Sequence, residues 1–323
     1  MPTNPEKKPP IEIAPFDPTP LRDGGSGVDY VHRFESGRPG PRVAIAGLTH
    51  GNEACGLTAI RWLLDEGVLP RCGTLTLWLG NVDACRRVDP ARPDTRFGVR
   101  AIDRDLNRCW ADDLLDSDDP AVELRRAREL LPFVDDADAL LDIHSTTYAA
   151  RPFFAFRDTA RNRALADALG FPWSHLLIDG ERATGMPMIE RPRFAAPDGD
   201  ACALVVECGA HFTRATGETA IQVVLRFLDH FGLLEKDFVR RHRRVTPSER
   251  TTRYRIHEVY RATTDEAHFV RPFTGFEEVR AGETILVDGG REIVAPFDRC
   301  AVLMPWPVAG RGRELVTLAR IVD

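Results

Sequence analysis

No stretch of this 323-residue sequence approaches the roughly 20 consecutive apolar residues that a membrane-spanning helix requires. The first twenty residues, MPTNPEKKPPIEIAPFDPTP, hold no apolar run that could act as a signal peptide, so a cytoplasmic protein with no membrane partner is expected. There is no C-x-x-C pair. The seven cysteines (Cys55, Cys72, Cys85, Cys109, Cys202, Cys208, Cys300) are odd in number and scattered. That argues against a disulfide framework and against a four-cysteine zinc knuckle, and leaves inert thiols in a reducing compartment. Positive charge is also in short supply. Lys+Arg 43 against Asp+Glu 49 gives a net charge of −6 and a pI near 5.9. A general nucleic-acid binder needs a cationic excess to neutralise phosphates, so no nucleic-acid partner is expected. The glycine-rich GLTHGNEACG lacks the G-x-G-x-x-G order, which disfavours a Rossmann-type nucleotide enzyme.

The composition is that of a chain able to bury a sizeable core, with 43% hydrophobic and 28% charged residues. At roughly 150 residues per domain, the length suits about two domains or one large one. Residues 1–20 contain seven prolines and read as an extended arm. From Arg42 onward apolar runs alternate with helical periodicity. Strands are expected at Arg42–Gly47, Thr74–Leu79, 139–143, 152–156 and 203–207. Helices are expected at 53–66, 120–134, 159–169 and 217–231. Such alternation implies an α/β fold, with a mixed, mostly parallel sheet flanked by helices. The arginine-rich stretch 236–253, with Pro247, reads as a linker. Short β-like runs follow at 254–262, 268–271, Thr284–Asp288, 292–295, 301–304 and 315–321, split by glycine and proline. They predict a smaller C-terminal all-β domain. The expected division is 1–20 arm, 21–240 catalytic domain and 241–323 C-terminal β domain.

Chemistry concentrates at strand ends, where open α/β sheets bind ligands. Gly47-Leu48-Thr49-His50-Gly51-Asn52-Glu53 puts a histidine and a glutamate three apart after the first buried strand. Asp142-Ile143-His144-Ser145-Thr146-Thr147 ends another strand with a histidine. His50, Glu53 and His144 together form a two-histidine, one-carboxylate set, as a catalytic zinc with an open fourth position requires. Alone, either motif also fits a hydrogen-bonded core histidine. Val205-Val206-Glu207-Cys208-Gly209 closes an apolar run with an acid, which is costly to bury unless paired or functional. Glu207 is either a salt-bridged strand end or a general base beside a metal-activated water. Arg100-Ala101-Ile102-Asp103-Arg104-Asp105-Leu106-Asn107-Arg108 offers two guanidinium forks eight residues apart. One could polarise a carbonyl and the other hold a carboxylate, or the segment is a solvated charged loop. Cys202 and Cys208 share a strand face and suit core packing. His211 is a candidate to line the site, while His257 and His268 read as surface or sheet histidines.

GLTHGNE, RAIDRDLNR, DIHSTT and VVECG occur in the order and spacing that resembles the succinylglutamate desuccinylase/aspartoacylase family. The resemblance spans about residues 42–210, and the trailing β region fits that family's C-terminal domain. It implies a zinc-carboxypeptidase-like fold and one zinc per chain on His50, Glu53 and His144. It implies that Glu207 activates the water, that Arg100 stabilises the tetrahedral oxyanion, and that Asn107 and Arg108 grip a substrate carboxylate. The implied partner is a small acylated amino acid, whose amide bond is hydrolysed; a homo-oligomer is left open. In aspartoacylase a further arginine and a C-terminal tyrosine complete the pocket. Arg182, Arg191 and Arg193 are the candidates for the arginine, and Tyr254 and Tyr260 do not match the tyrosine. Two other readings remain. One is a zinc carboxypeptidase acting on peptides, which an open groove rather than a capped cleft would favour. The other is a non-catalytic zinc-binding protein of the same fold.

Overall fold

The computed structural model describes residues 9–14, 17–89, 91–179, 185–246, 250–307 and 310–322. Fourteen strands appear among them: β1 Val31–Glu35, β2 Arg42–Gly47, β3 Thr74–Leu79, β4 Ala139–Thr146, β5 Phe153–Arg157, β6 Ser174–Ile178 and β7 Cys202–Ala210, then β8 Thr252–Arg261, β9 His268–Phe269, β10 Glu277–Val279, β11 Thr284–Asp288, β12 Arg291–Val294, β13 Cys300–Leu303 and β14 Glu314–Val322. Eleven form one sheet in the order β1-β3-β2-β4-β7-β5-β6-β8-β14-β13-β10, and β12-β11-β9 form a second. The centre, β3-β2-β4-β7, is parallel. β5 runs antiparallel to β7, and β6 and β8 run parallel to β5. The expected mixed sheet is therefore present.

The central strands read as unbroken apolar runs because both faces are covered. β3 is buried at all six positions. On one face the Ala54–Asp65 and Arg214–His230 helices bury Leu57, Ile60, Leu63, Val223 and Phe227 against Ile45, Leu77, Leu141 and Val206. On the other, the Val122–Asp136 helix packs Leu124, Ala127, Leu130 and Val134 against Ala44, Trp78 and Leu140. The expected helix over 120–134 begins two residues later. Asp119 accepts from the Ala121 backbone N–H at 2.9 Å, and Ala121 keeps an extended ψ of 139° as the cap. The helix expected over 159–169 runs Ala160–Leu169, with Thr159 as its cap and Gly170 at its end.

Part of the expected linker folds. Lys236–His242 is a helix with Asp237 in its first turn and Arg240, Arg241 and His242 in its last, an order that complements the helix dipole. Phe238 packs on Trp62 at 5.7 Å, and Val239 is buried. A cluster of arginines that reads as solvated linker is thus the charged face of a docked helix. Pro247, the expected break, lies outside the described residues, as do residues 1–8 and 15–16 of the expected arm. Within that arm, Thr19–Leu21 forms a 3-10 turn and Glu12 N–H donates to Phe212 O at 2.9 Å. At the other end of the chain, β8, β14, β13 and β10 extend the main sheet, and the β11 layer stands apart. Four of the C-terminal strands therefore continue the main sheet, while β9, β11 and β12 form the smaller antiparallel sheet.

One close approach sets the position of the site. The Ala54–Asp65 helix crosses β2 where Gly56 meets Gly47. A Cβ on Gly56 would lie 2.7 Å from the Gly47 Cα. Only paired glycines let the helix start this near the strand end, and its first residues follow directly on Glu53. Gly56→Ala is expected to lower stability by about 1–3 kcal/mol through overpacking. Thermal denaturation should show this as a drop of several degrees; an unchanged midpoint would contradict the close approach.

Candidate metal centre and active site

Each chemistry-bearing motif arrives at the same end of the parallel block. β2 ends at Gly47, and Leu48 follows in the left-handed region at φ 53°. A buried leucine held there is strained, and it turns the chain so that Thr49, His50 and Glu53 come over the sheet edge. β4 carries His144 near its end, and Glu207 of β7 lies in register beside it. After that pair the register slips, so that Thr146 faces Ala210, and Gly209 sits at φ 120°. The extra residue is a bulge that only glycine fits without strain, beside the site, where bulges re-aim side chains.

His50 Nδ1 lies 2.9 Å from Glu53 Oε1, and His144 Nδ1 lies 2.8 Å from Glu53 Oε2. All three residues are buried, at 2% exposure each. One ligand atom from each falls within 4.8 Å of the others, which makes them a group able to hold a metal ion. Glu53 Oε2 also lacks an aligned hydrogen bond despite its short approach, as expected of donors that share a cation. The donor set of two imidazoles and a carboxylate fits a divalent ion. Burial raises the cost of charge on Glu53, but the charges of His50 and His144 outweigh it and hold the carboxyl well below its usual range.

The outer ring nitrogens are also held by carboxylates. His50 Nε2 is 2.8 Å from Asp105 Oδ1, and His144 Nε2 is 2.7 Å from Asp142 Oδ2. Asp142 in turn accepts from Thr49 Oγ1 at 2.7 Å, and Asp105 accepts from the Asn107 N–H at 2.8 Å. Carboxylates behind metal-binding imidazoles fix the ring orientation and raise ligand basicity. Neither aspartate belongs to the expected site residues. Asp142 could have been found, since it precedes His144 by two residues and so shares its strand face.

The Arg100–Arg108 segment is not a solvated loop. The buried carboxylate of Glu123 accepts from the backbone N–H groups of Ile102, Asp103 and Arg104, and from Asn81 Nδ2. This clamp directs Arg100 to the site, with its guanidinium 3.4 Å from Glu53 and 3.0 Å from Asp105. Asn107 is buried and its Oδ1 accepts from the Met188 N–H, while Arg108 donates to the Asn107 carbonyl at 2.7 Å. These residues line one cavity of about 570 Å³ together with His50, Glu53, His144 and Glu207. Glu207 Oε2 has no hydrogen-bond partner among the described residues. Burial pushes the Glu207 carboxyl up to about 7, with the charge of Glu53 adding to the rise against the opposing pull of His144.

His211 also lines the cavity. It is buried, and its Nδ1 lies 2.7 Å from Ser145 Oγ. Burial lowers its pKa to about 4, so the ring is neutral near pH 7. Two of the arginine candidates, Arg191 and Arg193, do not line this space. Arg191 pairs with Asp112 and Asp135, and Arg193 pairs with Asp200. Arg182 lies outside the described residues. Tyr254 accepts from Arg151, and Tyr260 donates to Asp288, both away from the cavity lining. Cys202 and Cys208 contribute to the core on one face, as expected. His257 and His268 are exposed.

An open α/β sheet with a buried His-Glu-His set across two strand ends defines a protein with a candidate divalent-metal site. A family model described as the succinylglutamate desuccinylase/aspartoacylase catalytic domain matches residues 39–232, and the chain belongs to that family. It is 33% identical over 183 residues to a protein named "Probable aspartoacylase" from Parasynechococcus marenigrum, covering 52% of each. It is 36% identical over 118 residues to the N-acyl-aromatic-L-amino acid amidohydrolase (carboxylate-forming) of Xenopus laevis, covering 34% of this chain and 35% of that one. The chain thus spans about half or less of the length of these relatives. In fold it is similar to a solved succinylglutamate desuccinylase/aspartoacylase from Rhodobacter sphaeroides, with a TM-score of 0.65, 20% identity and coverage of 96% of this chain and 94% of that one. Murine aminoacylase 3 superposes with a TM-score of 0.61 at 21% identity, covering 88% of this chain and 96% of that one.

Asp142→Asn should weaken divalent-metal affinity by roughly 10–100-fold while the fold persists. Chelator competition on the metal-loaded protein measures this, and unchanged affinity would remove Asp142 from support of the site.

Proposed function

We propose that this protein is a zinc-dependent amidohydrolase that cleaves the amide bond of a small N-acyl amino acid. We infer one zinc per chain, held by His50, Glu53 and His144, and a cytoplasmic location. The observation that carries the reading is Glu207. It is a half-buried residue with one buried, unpartnered carboxylate oxygen, on the lining of the same cavity as a candidate metal-binding set. An unsatisfied buried acid is costly in a protein that only binds. Beside a polarised water it has a use.

When bound, zinc supplies Lewis-acid polarisation and brings the pKa of a water near 7. The remaining roles fall to the chain. Arg108 and Asn107 hold the substrate carboxylate, with the guanidinium as the charge-matched donor. Arg100 donates to the amide oxygen and stabilises the negative charge that develops there. Glu207 takes the proton of the attacking water at its carboxylate and returns it to the departing nitrogen. The products are a carboxylic acid and a free amino acid. A base with a pKa near the working pH suits both transfers, and burial supplies that poise. Residues of the C-terminal strands line the same cavity. This supports a short substrate over the extended peptide of a carboxypeptidase.

Purified, unchelated protein should contain about one zinc per chain by elemental analysis, and protein that takes up none would contradict the ligand set. Glu207→Gln should retain the metal and lose about 10²–10⁴-fold in kcat against N-acyl amino acids; near-normal turnover would remove it as the base. Arg108→Ala should raise KM roughly tenfold or more with a smaller change in kcat, because a carboxylate clamp acts equally on ground and transition states. A pure kcat defect would contradict that role.

A further inference from the structure

The cavity does not end at the metal centre. Its floor runs along one face of the sheet and is apolar: Phe153 and Ala155 of β5, Leu176 and Ile178 of β6, and Val205 of β7. Pairing brings these side chains together. Phe153 lies opposite Glu207, Ala155 opposite Val205, and Leu176 beside Ala155. The far wall comes from the C-terminal region. Met304, at φ 46°, bends the chain out of β13, and Trp306 N–H donates to Leu315 O at 2.7 Å, which ties the segment to β14. The Trp306 ring then stands edge-on to Tyr148, with centroids 5.1 Å apart and an interplanar angle of 88°. Both rings line the cavity. The matched family region stops at residue 232, so it assigns no role to Trp306.

We propose that Trp306 is a specificity-determining residue: with the β5–β6–β7 floor it forms an apolar subsite for a large apolar or aromatic group of the substrate. This deepens the amidohydrolase reading and rests on it. A subsite for a second carboxylate would instead need a desolvated cation. Arg100 is held by Glu53 and Asp105, and Arg108 belongs to the segment beside the metal centre. Arg313, at the cavity rim, is exposed, and an exposed ion pair contributes little. Ring burial against an apolar floor is the stronger term, and an edge-to-face partner adds to it.

The test compares kcat/KM of the zinc-loaded protein on four substrates: N-acetyl-L-phenylalanine, N-octanoyl-L-alanine, N-acetyl-L-alanine and N-acetyl-L-aspartate. The expected result is that at least one of the first two exceeds N-acetyl-L-alanine tenfold or more. Which one does so tells whether the subsite takes the amino-acid side chain or the acyl chain. Trp306→Ala should abolish most of that advantage through KM, and Trp306→Phe should restore most of it. A preference for N-acetyl-L-aspartate, or an equal loss on all four substrates in Trp306→Ala, would overturn the proposal while leaving the amidohydrolase reading intact. Hydrolysis of none of the four would instead count against the amidohydrolase reading. Calorimetric binding of N-acetyl-L-phenylalanine and N-octanoyl-L-alanine to the wild-type and variant proteins then decides the subsite. Tighter binding of either by wild type and Trp306→Phe than by Trp306→Ala supports it, and equal or undetectable binding of both in all three overturns it.

Discussion

Two imidazoles converge on one carboxylate at the buried end of a cavity. None of the three could be left there alone, because a buried charge without a partner costs several kcal/mol. Much of the nearby structure serves that convergence. Gly47 and Gly56 let a helix begin close against β2, directly after Glu53. Leu48 holds a strained backbone that swings His50 over the strand end. The parallel pairing of β2 with β4 brings His144 within reach of a residue some ninety positions away in the chain. Asp105 and Asp142 then fix the rings from behind, so the donors meet in one orientation. Within the cluster only Glu53 Oε2 is left without an aligned hydrogen bond, and a divalent cation would match the geometry and charge of the three donors.

A second buried carboxylate does comparable work without touching the site. Glu123 gathers three consecutive backbone N–H groups and thereby shapes the segment from Arg100 to Arg108. Without that anchor, a stretch with so many charges would be free in solvent, as its composition suggests. With it, Arg100 is delivered to Glu53 and Asn107 is packed against the Met188 backbone. The cost of burying Glu123 is met by several hydrogen bonds, which is the condition for a buried acid to be stabilising. Glu207 breaks that condition on one oxygen, and the contrast between the two acids marks which one is structural.

The central strands, the long helices and the grouping of His50, Glu53 and His144 were legible in the chain because their signals are local. Apolar runs mark β2, β3 and β4. A spacing of three marks His50 and Glu53, and a strand-end position marks His144 and Glu207. What could not be read depended on partners distant in sequence. Nothing around Glu123 announces that it will bind the backbone at 102–104. The arginines at 240–244 read as linker because a helix that docks by one valine and one phenylalanine shows little periodicity over seven residues. β1, β6 and β10 are short or lie beside turn-rich segments, where tertiary pairing overrides weak propensity. The C-terminal strands carry a clear β pattern, but their junction with β8 at the main sheet is a fact of pairing, not of composition.

The cavity divides its labour along the same line. Under the proposed function its reactive end is built from short motifs, three at strand ends and one on the loop anchored by Glu123, because proton transfer and charge stabilisation demand fixed positions for a few atoms. Its far end is built from apolar residues spread over β5, β6, β7 and the turn after β13, where shape and area matter more than any single contact. On that reading, energy gained by a substrate at the far end would be used to orient the amide at the candidate metal centre, so the remote contacts would bear on rate as well as affinity. Such a surface leaves no motif, since many apolar residues could supply it. That is why the reaction class can be argued from four short segments of the chain, while the substrate has to be argued from a wall that forms only when residue 306 folds back over residue 148.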